Sequence, residues 1–309
     1  MTSSFSHPQA FPPRGERVPP QRRLEAAAAL LRTGPPEAES FLRALGARDA
    51  SAGAFWAVES PAGGYEAAVL GVLSPGRTVM CFASPPSNRG DVPILAGVIQ
   101  RAVTELAAEG VAIAQVLLAT QDRLSCAAFE AAGFWPLAIL QYMERSATAF
   151  PSFDREVLRC IPLPECGEDL LAEVLPRTYE ASLDCPDLHG LRTTPDIVAG
   201  HRAVGRYEAQ LWSVIHVAER PAGVLLLSRS HESAVAELVY LGLVPWARGR
   251  GLGRAALLHA LRESRRVGCQ RISLAVDRNN APAIRLYRSL GFRSLQRRLA
   301  MIRQLSTSC

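Results

Sequence analysis

The stretch Leu243-Val-Pro-Trp-Ala-Arg-Gly-Arg-Gly-Leu-Gly-Arg254 joins an apolar strand-like run to an amphipathic helical pattern. Glycines at such a junction let backbone N–H groups approach a ligand without a Cβ in the way. The N-terminus of the following helix adds unpaired donors and a partial positive charge. The segment therefore predicts a phosphate-binding loop, to which Arg248, Arg250 and Arg254 add positive charge.

Two common phosphate loops do not fit this stretch. No Gly-Lys-Ser/Thr follows the glycines, so the loop is not a Walker A motif. The glycine spacing and the missing acidic residue about 20 positions further on argue against a dinucleotide-binding fingerprint. Taken alone, an ordinary tight turn between a strand and a helix remains the alternative.

A second motif lies downstream, at Asp277-Arg-Asn-Asn-Ala-Pro-Ala-Ile-Arg-Leu-Tyr-Arg-Ser-Leu-Gly-Phe292. This segment resembles N-x-x-A-x-x-L-Y-x-x-L-G-F, a hallmark of the GNAT superfamily of N-acetyltransferases. Arg248-x-x-Gly251-x-Gly253 resembles the same superfamily's Q/R-x-x-G-x-G/A loop, which binds the pyrophosphate of coenzyme A. The two motifs occur in the family's order and spacing, and the resemblance covers most of residues 155–305.

The resemblance implies acetyl-CoA as co-substrate and direct acetyl transfer to an amine in a ternary complex. Asn280 matches the family's asparagine that contacts the pantetheine arm, although capping of the following helix is the alternative. The implied coenzyme A contacts are Leu241, Gly242, Leu243, Val244, Arg248, Gly249, Arg250, Gly251, Leu252, Gly253, Arg254 and Asn280.

Acetyl transfer needs a stabilised oxyanion and a donor for the departing thiolate. The family's oxyanion donor is a backbone N–H at a bulge of the preceding strand. Gly242, within Leu241–Leu243, is the expected bulge position here, and a regular interior strand is the alternative. Tyr287 falls at the family's general-acid position, and a phenol donates at neutral pH. A core tyrosine on an amphipathic helix is the alternative.

Glu237 is the candidate general base because it interrupts an otherwise apolar strand, where burial raises a carboxyl pKa. The period of two predicts that it shares a face with Val239, Leu241 and Leu243, and a solvent-facing glutamate is the alternative. Asp184, Asp187 and His189 lie in the polar segment 182–195, where this family builds its acceptor wall. These three residues are substrate-binding candidates, and a turn-rich loop explains them equally well.

The chain reads as two copies of one pattern. Gly133-Phe134 and Gly291-Phe292 each follow a short helical segment, and both precede a Met and an Arg at matching offsets. We therefore predict an α/β (α+β) protein of two tandem GNAT folds, each a mixed, mostly antiparallel sheet flanked by helices. The predicted division is a poorly ordered arm at 1–20, a degenerate domain at 21–150 and a catalytic domain at 151–309.

The first copy departs from the family pattern at both motifs. Phe129 replaces the tyrosine, and a phenylalanine has no proton to donate. The segment Ser84–Val92 has one glycine, and Asp91 sets a carboxylate where phosphates would bind. We expect this half to be non-catalytic, and the tandem arrangement is similar to that of the mycothiol synthase family.

The amino-acid composition is consistent with a globular enzyme that acts on small molecules. The chain has 309 residues, enough for about two domains. All 34 basic residues are arginines, dispersed rather than clustered, and the net charge is +5, so no nucleic-acid partner is expected. The seven cysteines form no CxxC pair, so no metal is expected. No apolar run predicts a membrane span or a leader, so we expect a cytoplasmic monomer or homodimer.

These features predict an N-acetyltransferase acting on a small-molecule amine. Two alternatives stay open. In the first, the acceptor is a protein N-terminal α-amine, since the motifs also resemble ribosomal-protein alanine acetyltransferases. In the other alternative, the chain is a non-catalytic acyl-CoA-binding regulatory module, which predicts binding without turnover.

Overall fold

The computed structural model describes residues 12–49, 53–147, 157–231 and 234–305. The chain forms two compact units. One comprises the residues up to Leu137 together with those from Leu299 on, and the other comprises Ala138–Arg298. Most of the predicted N-terminal arm, up to residue 11, lies outside the described residues, and so does most of the predicted domain boundary near residue 150.

The helices and strands of the first half agree with the apolar patterns of the sequence. Those patterns predict helices at about 21–33, 37–46, 92–109 and 125–132 and strands at about 55–59, 65–73, 78–83, 114–119 and 137–145. Each of these is present, and a two-residue strand precedes them. The elements are β1 (Glu16–Arg17), α1 (Arg23–Leu31), α2 (Pro35–Asp49), β2 (Gly53–Glu59), β3 (Tyr65–Ser74), β4 (Thr78–Ala83), α3 (Asp91–Ala108), β5 (Ile113–Ala119), α4 (Arg123–Ala131) and β6 (Trp135–Ser146).

The sheet of the first unit is antiparallel from β1 to β4, whereas β5 runs parallel to β4. The long helix α3 covers it with an apolar stripe at helical spacing, which includes Leu95, Ile99 and Leu106, all at most 1% exposed. Trp56 packs into the same core, and its indole N–H donates to Glu105 (2.8 Å). Burying each such side chain contributes about 1.5–3 kcal/mol to folding. The first unit therefore has a hydrophobic core of its own.

The second half contains the matching series and two further helices. The sequence patterns did not predict α5 or α7. The elements are β7 (Arg159–Pro162), α5 (Leu163–Cys166), α6 (Glu168–Tyr179), α7 (Thr194–Arg202), β8 (Trp212–Val217), β9 (Arg220–Arg229), β10 (Val235–Leu243), α8 (Leu252–Arg266), β11 (Arg271–Asp277), α9 (Ala281–Ser289) and β12 (Arg293–Gln304).

In the second unit, β7 to β10 pair antiparallel, β10 and β11 pair parallel, and β6 pairs antiparallel with β11. The fold class predicted from the sequence is confirmed: the sheet is mixed, mostly antiparallel and flanked by helices. The described helices include none that is long and apolar enough to cross a membrane.

The two compact units do not coincide with a division of the chain at residue 150, because each contains part of the last strand of the other sequence repeat. All of β6 precedes that division, yet its residues 138–146 belong to the second unit, and Met143 lies in the core of that unit. The end of β12 belongs to the first unit, where Met301 is buried and the Leu305 N–H donates to the Ala112 carbonyl (2.8 Å). The matched methionines of the two sequence repeats therefore each pack in the core of the other half.

Candidate active site

A cleft of about 550 Å³ opens where β10 and β11 separate. The two strands pair only from Val235 to Glu237 on β10, and beyond this point both line the cleft, β10 with Leu238–Leu243 and β11 with Leu274–Val276. Strands that diverge leave main-chain donors and acceptors facing the gap, and buried groups of this kind require partners. The gap is therefore suited to an extended ligand that hydrogen-bonds to the backbone.

One end of the cleft is formed by the glycine-rich loop and the start of α8. Gly249 and Gly251 have φ values of +72° and +77°, and an added Cβ would meet no atom within 4 Å at either position. Their requirement for glycine is thus conformational, because L-residues are strained at positive φ. No side chain caps α8, so its first N–H groups remain available to an anion.

Gly253 is required for a different reason. It lies inside α8 with an ordinary backbone conformation, but a Cβ there would come within 3.2 Å of Leu286 on α9. The glycine therefore allows the two helices that flank the cleft to pack closely. Leu252 beside it is buried, which leaves the loop residues and Arg254 as the exposed part of the segment.

Arg248 acts differently from the expectation that it faces phosphate. Its guanidinium donates to the carbonyls of Leu243 (2.9 Å), Ala181 (3.0 Å) and Thr178 (2.9 Å). These bonds fasten the end of α6 and the following loop to the end of β10. Arg250 and Arg254 are exposed at the loop, and Arg254 also contacts the Ser289 hydroxyl (3.4 Å).

Tyr287 lies on α9, 8% exposed, and lines the cleft. Burial raises the pKa of its phenol, and the charge of Asp184 and the phenol of Tyr240 raise it further. The hydroxyl therefore stays protonated at working pH and acts as a hydrogen-bond donor. Its ring packs 5.6 Å from Phe292, which keeps the side chain in place.

Asn280 and Asp184 meet at the start of α9. Asn280 caps the helix through its Oδ1, which accepts from the Ala283 N–H (3.2 Å), and it also lines the cleft. Asp184 lines the cleft as well and accepts from the Asp277 N–H (3.0 Å). Burial raises the pKa of the Asp184 carboxyl, and the bond from Asp277 opposes this. The other two acceptor-wall candidates do not line the cleft: Asp187 is exposed, and His189 is half-buried.

The bulge of β10 is at Val239, not at Gly242. Leu238 lies opposite Leu227 of β9 and Tyr240 lies opposite Leu226, so Val239 is the extra residue. Gly242 pairs in regular register instead. A Cβ on Gly242 would come within 2.5 Å of the Tyr240 hydroxyl, so this glycine makes room for the tyrosine ring.

The bulge also changes the face on which Glu237 lies. Glu237 and Tyr240 pair with Ser228 and Leu226, which are two residues apart and share a face. Leu241 pairs with Leu225 and therefore points to the other face, so the prediction that Glu237 shares its side is wrong. Glu237 is half-buried, and burial raises its pKa against the opposing charge of His231, but it is not among the cleft-lining residues.

Thr178 and Tyr240, which the sequence analysis did not single out, also line the cleft. Their hydroxyls are joined by a hydrogen bond of 2.9 Å. Tyr240 is the aromatic residue of β10, and that was the available signal. Within the described ranges, no group of three or more His, Cys, Asp or Glu side chains is arranged to hold a metal ion.

In the first unit, the corresponding loop lies beside a cavity of about 300 Å³. The Asp91 carboxylate accepts from the Ser87 N–H (2.7 Å) and from the Asn88 side-chain amide (3.1 Å). Arg32 lies 3.7 Å from the same carboxylate. The Asp91 carboxylate thus accepts hydrogen bonds from donors of this loop that would otherwise face a bound phosphate. Phe129 is fully buried and packs 4.9 Å from Phe134, matching the Tyr287–Phe292 contact.

Residues 176–292, which contain the cleft, match the sequence profile described as "Acetyltransferase (GNAT) family". These residues form a GNAT-family domain. The chain is 45% identical over 133 residues to the "Mycothiol acetyltransferase" of Acidothermus cellulolyticus, a match covering 42% of this chain and 37% of that protein. It is 32% identical over 156 residues to the protein of the same name from Thermomonospora curvata, covering 45% and 50%. The chain therefore matches half or less of the length of these relatives.

A solved structure agrees with the GNAT fold over nearly the whole chain. The GCN5-related N-acetyltransferase from Sphaerobacter thermophilus superposes with a TM-score of 0.58 at 18% identity. The superposition covers 93% of this chain and 92% of that one, so the first half shares the fold as well as the GNAT domain at 176–292. At this identity the likeness concerns the fold alone.

Proposed function

We propose that this chain is an acetyl-CoA-dependent N-acetyltransferase that transfers the acetyl group directly to the amine of a small molecule, using the second half, 151–309. One observation carries the proposal: a single cleft combines diverging parallel strands, an uncapped glycine-rich helix start and a protonated tyrosine. The GNAT profile over the same residues supports it.

In this proposal the N-terminus of α8 and the loop Arg248–Arg254 hold the pyrophosphate through backbone N–H groups. The main chain of Leu241–Val244 and the side chain of Asn280 contact the pantetheine arm. Arg248 acts mainly as a positioning residue, because its donors already bind three carbonyls. The thioester supplies the acetyl group, and the chain aligns it with the amine.

Tyr287 donates a hydrogen bond to the sulfur that leaves when the amine attacks. Its raised pKa supports a donor that stays protonated rather than one that is consumed. The oxyanion that forms on the acetyl carbon is assigned to a main-chain N–H of β10 beside the bulge at Val239, because a bulge leaves such groups without a ladder partner.

The amine must lose a proton, and two carboxylates are suited to accept it. Burial raises the pKa of both Asp184 and Glu237 above that of a free carboxyl. Asp184 lines the cleft, whereas Glu237 is not among the residues that line it. We therefore assign the contact with the acceptor amine to Asp184 and keep Glu237 as the second candidate base. The relatives named mycothiol acetyltransferase support a small-molecule acceptor.

We further propose that the first half binds no acetyl-CoA. Asp91 already occupies the donors of its loop, and a second anion there would meet a like charge. Phe129 stands where a donor is needed. Isothermal titration of acetyl-CoA should accordingly give one site per chain, and two sites would contradict the assignment.

The same titration tests the main proposal through Gly251→Asp. The matched control is Gly268→Asp, because Gly268 has a similar φ of +81° and an equally open surrounding, but lies outside the cleft. Gly251→Asp should abolish detectable binding by placing a carboxylate at the phosphate site, while Gly268→Asp should bind as wild type does. Gly253→Asp is a poorer probe, since its Cβ would also press on Leu286. Absence of binding by the wild type refutes the proposed function.

A further inference from the structure

Two hydroxyl groups on one wall of the cleft form a hydrogen-bonded chain with a defined direction. The buried Thr178 hydroxyl donates to the Leu175 carbonyl (2.6 Å), and its oxygen lies 2.9 Å from the Tyr240 hydroxyl. A threonine hydroxyl has one proton, and Leu175 already accepts it. The bond between the two hydroxyls therefore runs from the Tyr240 O–H to the Thr178 oxygen.

This direction leaves the Tyr240 oxygen as a hydrogen-bond acceptor. Burial raises the pKa of the Tyr240 phenol to about 12, so the proton stays on the oxygen at working pH. Among the residues that the structure describes, Thr178 is its one hydrogen-bond partner. A phenol oxygen whose proton is engaged still accepts from an N–H or O–H group. It is therefore suited to a ligand group that donates.

The surroundings of Tyr240 place this oxygen at the cleft. A Cβ added to Gly242 would come within 2.5 Å of the oxygen, which therefore lies over the bare backbone of that glycine. Gly242, Thr178 and Tyr240 itself all line the cleft. The ring centroid lies 5.2 Å from that of Tyr179 on α6 and 5.5 Å from that of His201 on α7, so the two helices hold the ring in place.

The other side of β10 faces the helices that are assigned to acetyl-CoA. A Cβ added to Gly253 of α8 would lie 3.2 Å from Leu286 of α9 and 4.0 Å from Leu243 of β10, so these groups meet on that side. Leu243 and Tyr240 are three residues apart in regular register and point to opposite faces. An acetyl thioester has no N–H or O–H to donate, whereas the attacking amine has. The Tyr240 oxygen therefore suits the amine.

We propose that the Tyr240 oxygen accepts a hydrogen bond from the N–H of the acceptor amine and thereby favours primary amines. The inference rests on the proposed function and assigns one acceptor contact within it. In the transfer, the amine nitrogen bonds to the acetyl carbon, the carbon–sulfur bond breaks, and one proton of the nitrogen ends on the departing sulfur. A primary amine keeps a second N–H throughout, and this N–H donates to Tyr240. A secondary amine gives up its only N–H, which leaves the Tyr240 oxygen without a donor.

Paired acceptors test the proposal. Glucosamine, 2-phenylethylamine and alaninamide are each assayed beside their N-methyl derivatives at saturating acetyl-CoA, by release of free coenzyme A thiol. The primary amine with the highest kcat/KM should exceed its N-methyl derivative by at least about tenfold. Tyr240→Phe should lower kcat/KM for that primary amine by about 10- to 100-fold and change that of the N-methyl derivative less than about threefold.

Two further variants separate this role from a structural one. The matched control is Tyr179→Phe, which removes the hydroxyl of the adjoining ring, is not among the cleft-lining residues and should change kcat/KM for neither amine. Thr178→Val deletes the bond between the two hydroxyls but leaves the Tyr240 oxygen in place. It should therefore lower kcat/KM for the primary amine less than Tyr240→Phe does, although its Tm should fall at least as far. The dissociation constant for acetyl-CoA should stay within about twofold of wild type in all three variants.

Four results overturn the proposal. The N-methyl amine reacts as well as its parent, Tyr240→Phe lowers kcat/KM for both amines equally, or Thr178→Val loses as much activity as Tyr240→Phe. In the fourth, Tyr240→Phe weakens acetyl-CoA binding, which would assign the oxygen to the pantetheine arm instead. A wild type that binds acetyl-CoA but acetylates no amine refutes the proposed function itself, and this inference with it.

Discussion

Replacing Tyr287 by phenylalanine isolates the chemical role of one hydroxyl. The phenol makes no hydrogen bond to the described residues, so its removal breaks no internal contact. The first half contains the same substitution naturally: Phe129 is fully buried at the matching position of α4, against Phe134. We therefore expect the free energy of unfolding to change by less than about 0.5 kcal/mol.

The expected catalytic effect is much larger. Removing one hydrogen-bond donor positioned at developing charge costs about 100-fold or more in rate. A loss of about 100-fold in kcat corresponds to about 2.7 kcal/mol in the activation barrier. Since the hydroxyl interacts with the sulfur only as charge develops on it, the dissociation constant for acetyl-CoA should change less than about twofold. Binding and turnover should therefore separate in this variant.

The assay follows release of free coenzyme A thiol with an amine acceptor that the wild type acetylates, alongside calorimetry for acetyl-CoA. The control is Phe129→Tyr, which should leave turnover unchanged because its helix belongs to the half without a proposed coenzyme A site. Unchanged kcat in Tyr287→Phe would refute the donor role and leave Tyr287 as a core residue. Binding without turnover in the wild type, with every acceptor, would instead favour the non-catalytic binding module.

Three further outcomes follow from the same structure. Asp184→Asn should lower kcat/KM more than Glu237→Gln does, because Asp184 lines the cleft. The pKa of Asp184 is raised in the folded chain, so ionising this carboxyl costs more in the folded state than in the unfolded state, and the free energy of unfolding falls as pH rises through the folded pKa. The Asn variant, which does not ionise, should therefore melt no lower than the wild type at pH 7, by calorimetry. Arg248→Gln should lose bonds to three carbonyls and lower the free energy of unfolding by about 2 kcal/mol, measured with urea. Burial raises the thiol pKa of both Cys81 and Cys185 to about 12, so iodoacetamide at pH 8 should label them slowly until denaturant is added, as read by peptide mass.

Periodicity was sufficient to predict most of the elements, because their apolar residues face a core. It failed for α7, in which no residue is fully buried. The available signal there was local: Thr193 caps the helix, Pro195 follows in its first turn, and Asp196 accepts from Thr193. A capping pattern therefore predicts a helix even where no apolar stripe exists.

The face of Glu237 could not be predicted from the strand pattern. Counting by twos is valid only while the ladder is regular, and the extra residue at Val239 inverts the relation for everything beyond it. Valine is an ordinary strand residue, so the sequence holds no sign of the bulge there. The glycine that suggested a bulge, Gly242, is explained by the Tyr240 ring, a contact that only the folded chain reveals.

The exchanged strands were equally hidden from the sequence. β6 and the end of β12 carry the same Met and Arg pattern, so either sheet accepts either strand on composition alone. Arg145 donates to the Leu290 carbonyl in the second unit, and Arg303 donates to the Ala132 carbonyl in the first. Each matched arginine thus binds the last turn of the other repeat's motif helix. The duplication predicts equivalent sites for these strands, and the sequence pattern does not indicate which unit each strand joins.

The two loops show how one architecture supports opposite electrostatic outcomes. In the second half, glycines at positive φ leave the start of α8 uncapped, and the loop's exposed arginines favour an external anion. In the first half, Asp91 at the start of α3 is itself the anion, held by the Ser87 N–H and paired with Arg32. Removing Asp91 alone would free those donors but would supply neither the glycine turn nor a hydroxyl at Phe129. The proposed inactivity of this half therefore rests on separate features at two sites, and changing either one leaves the other in place.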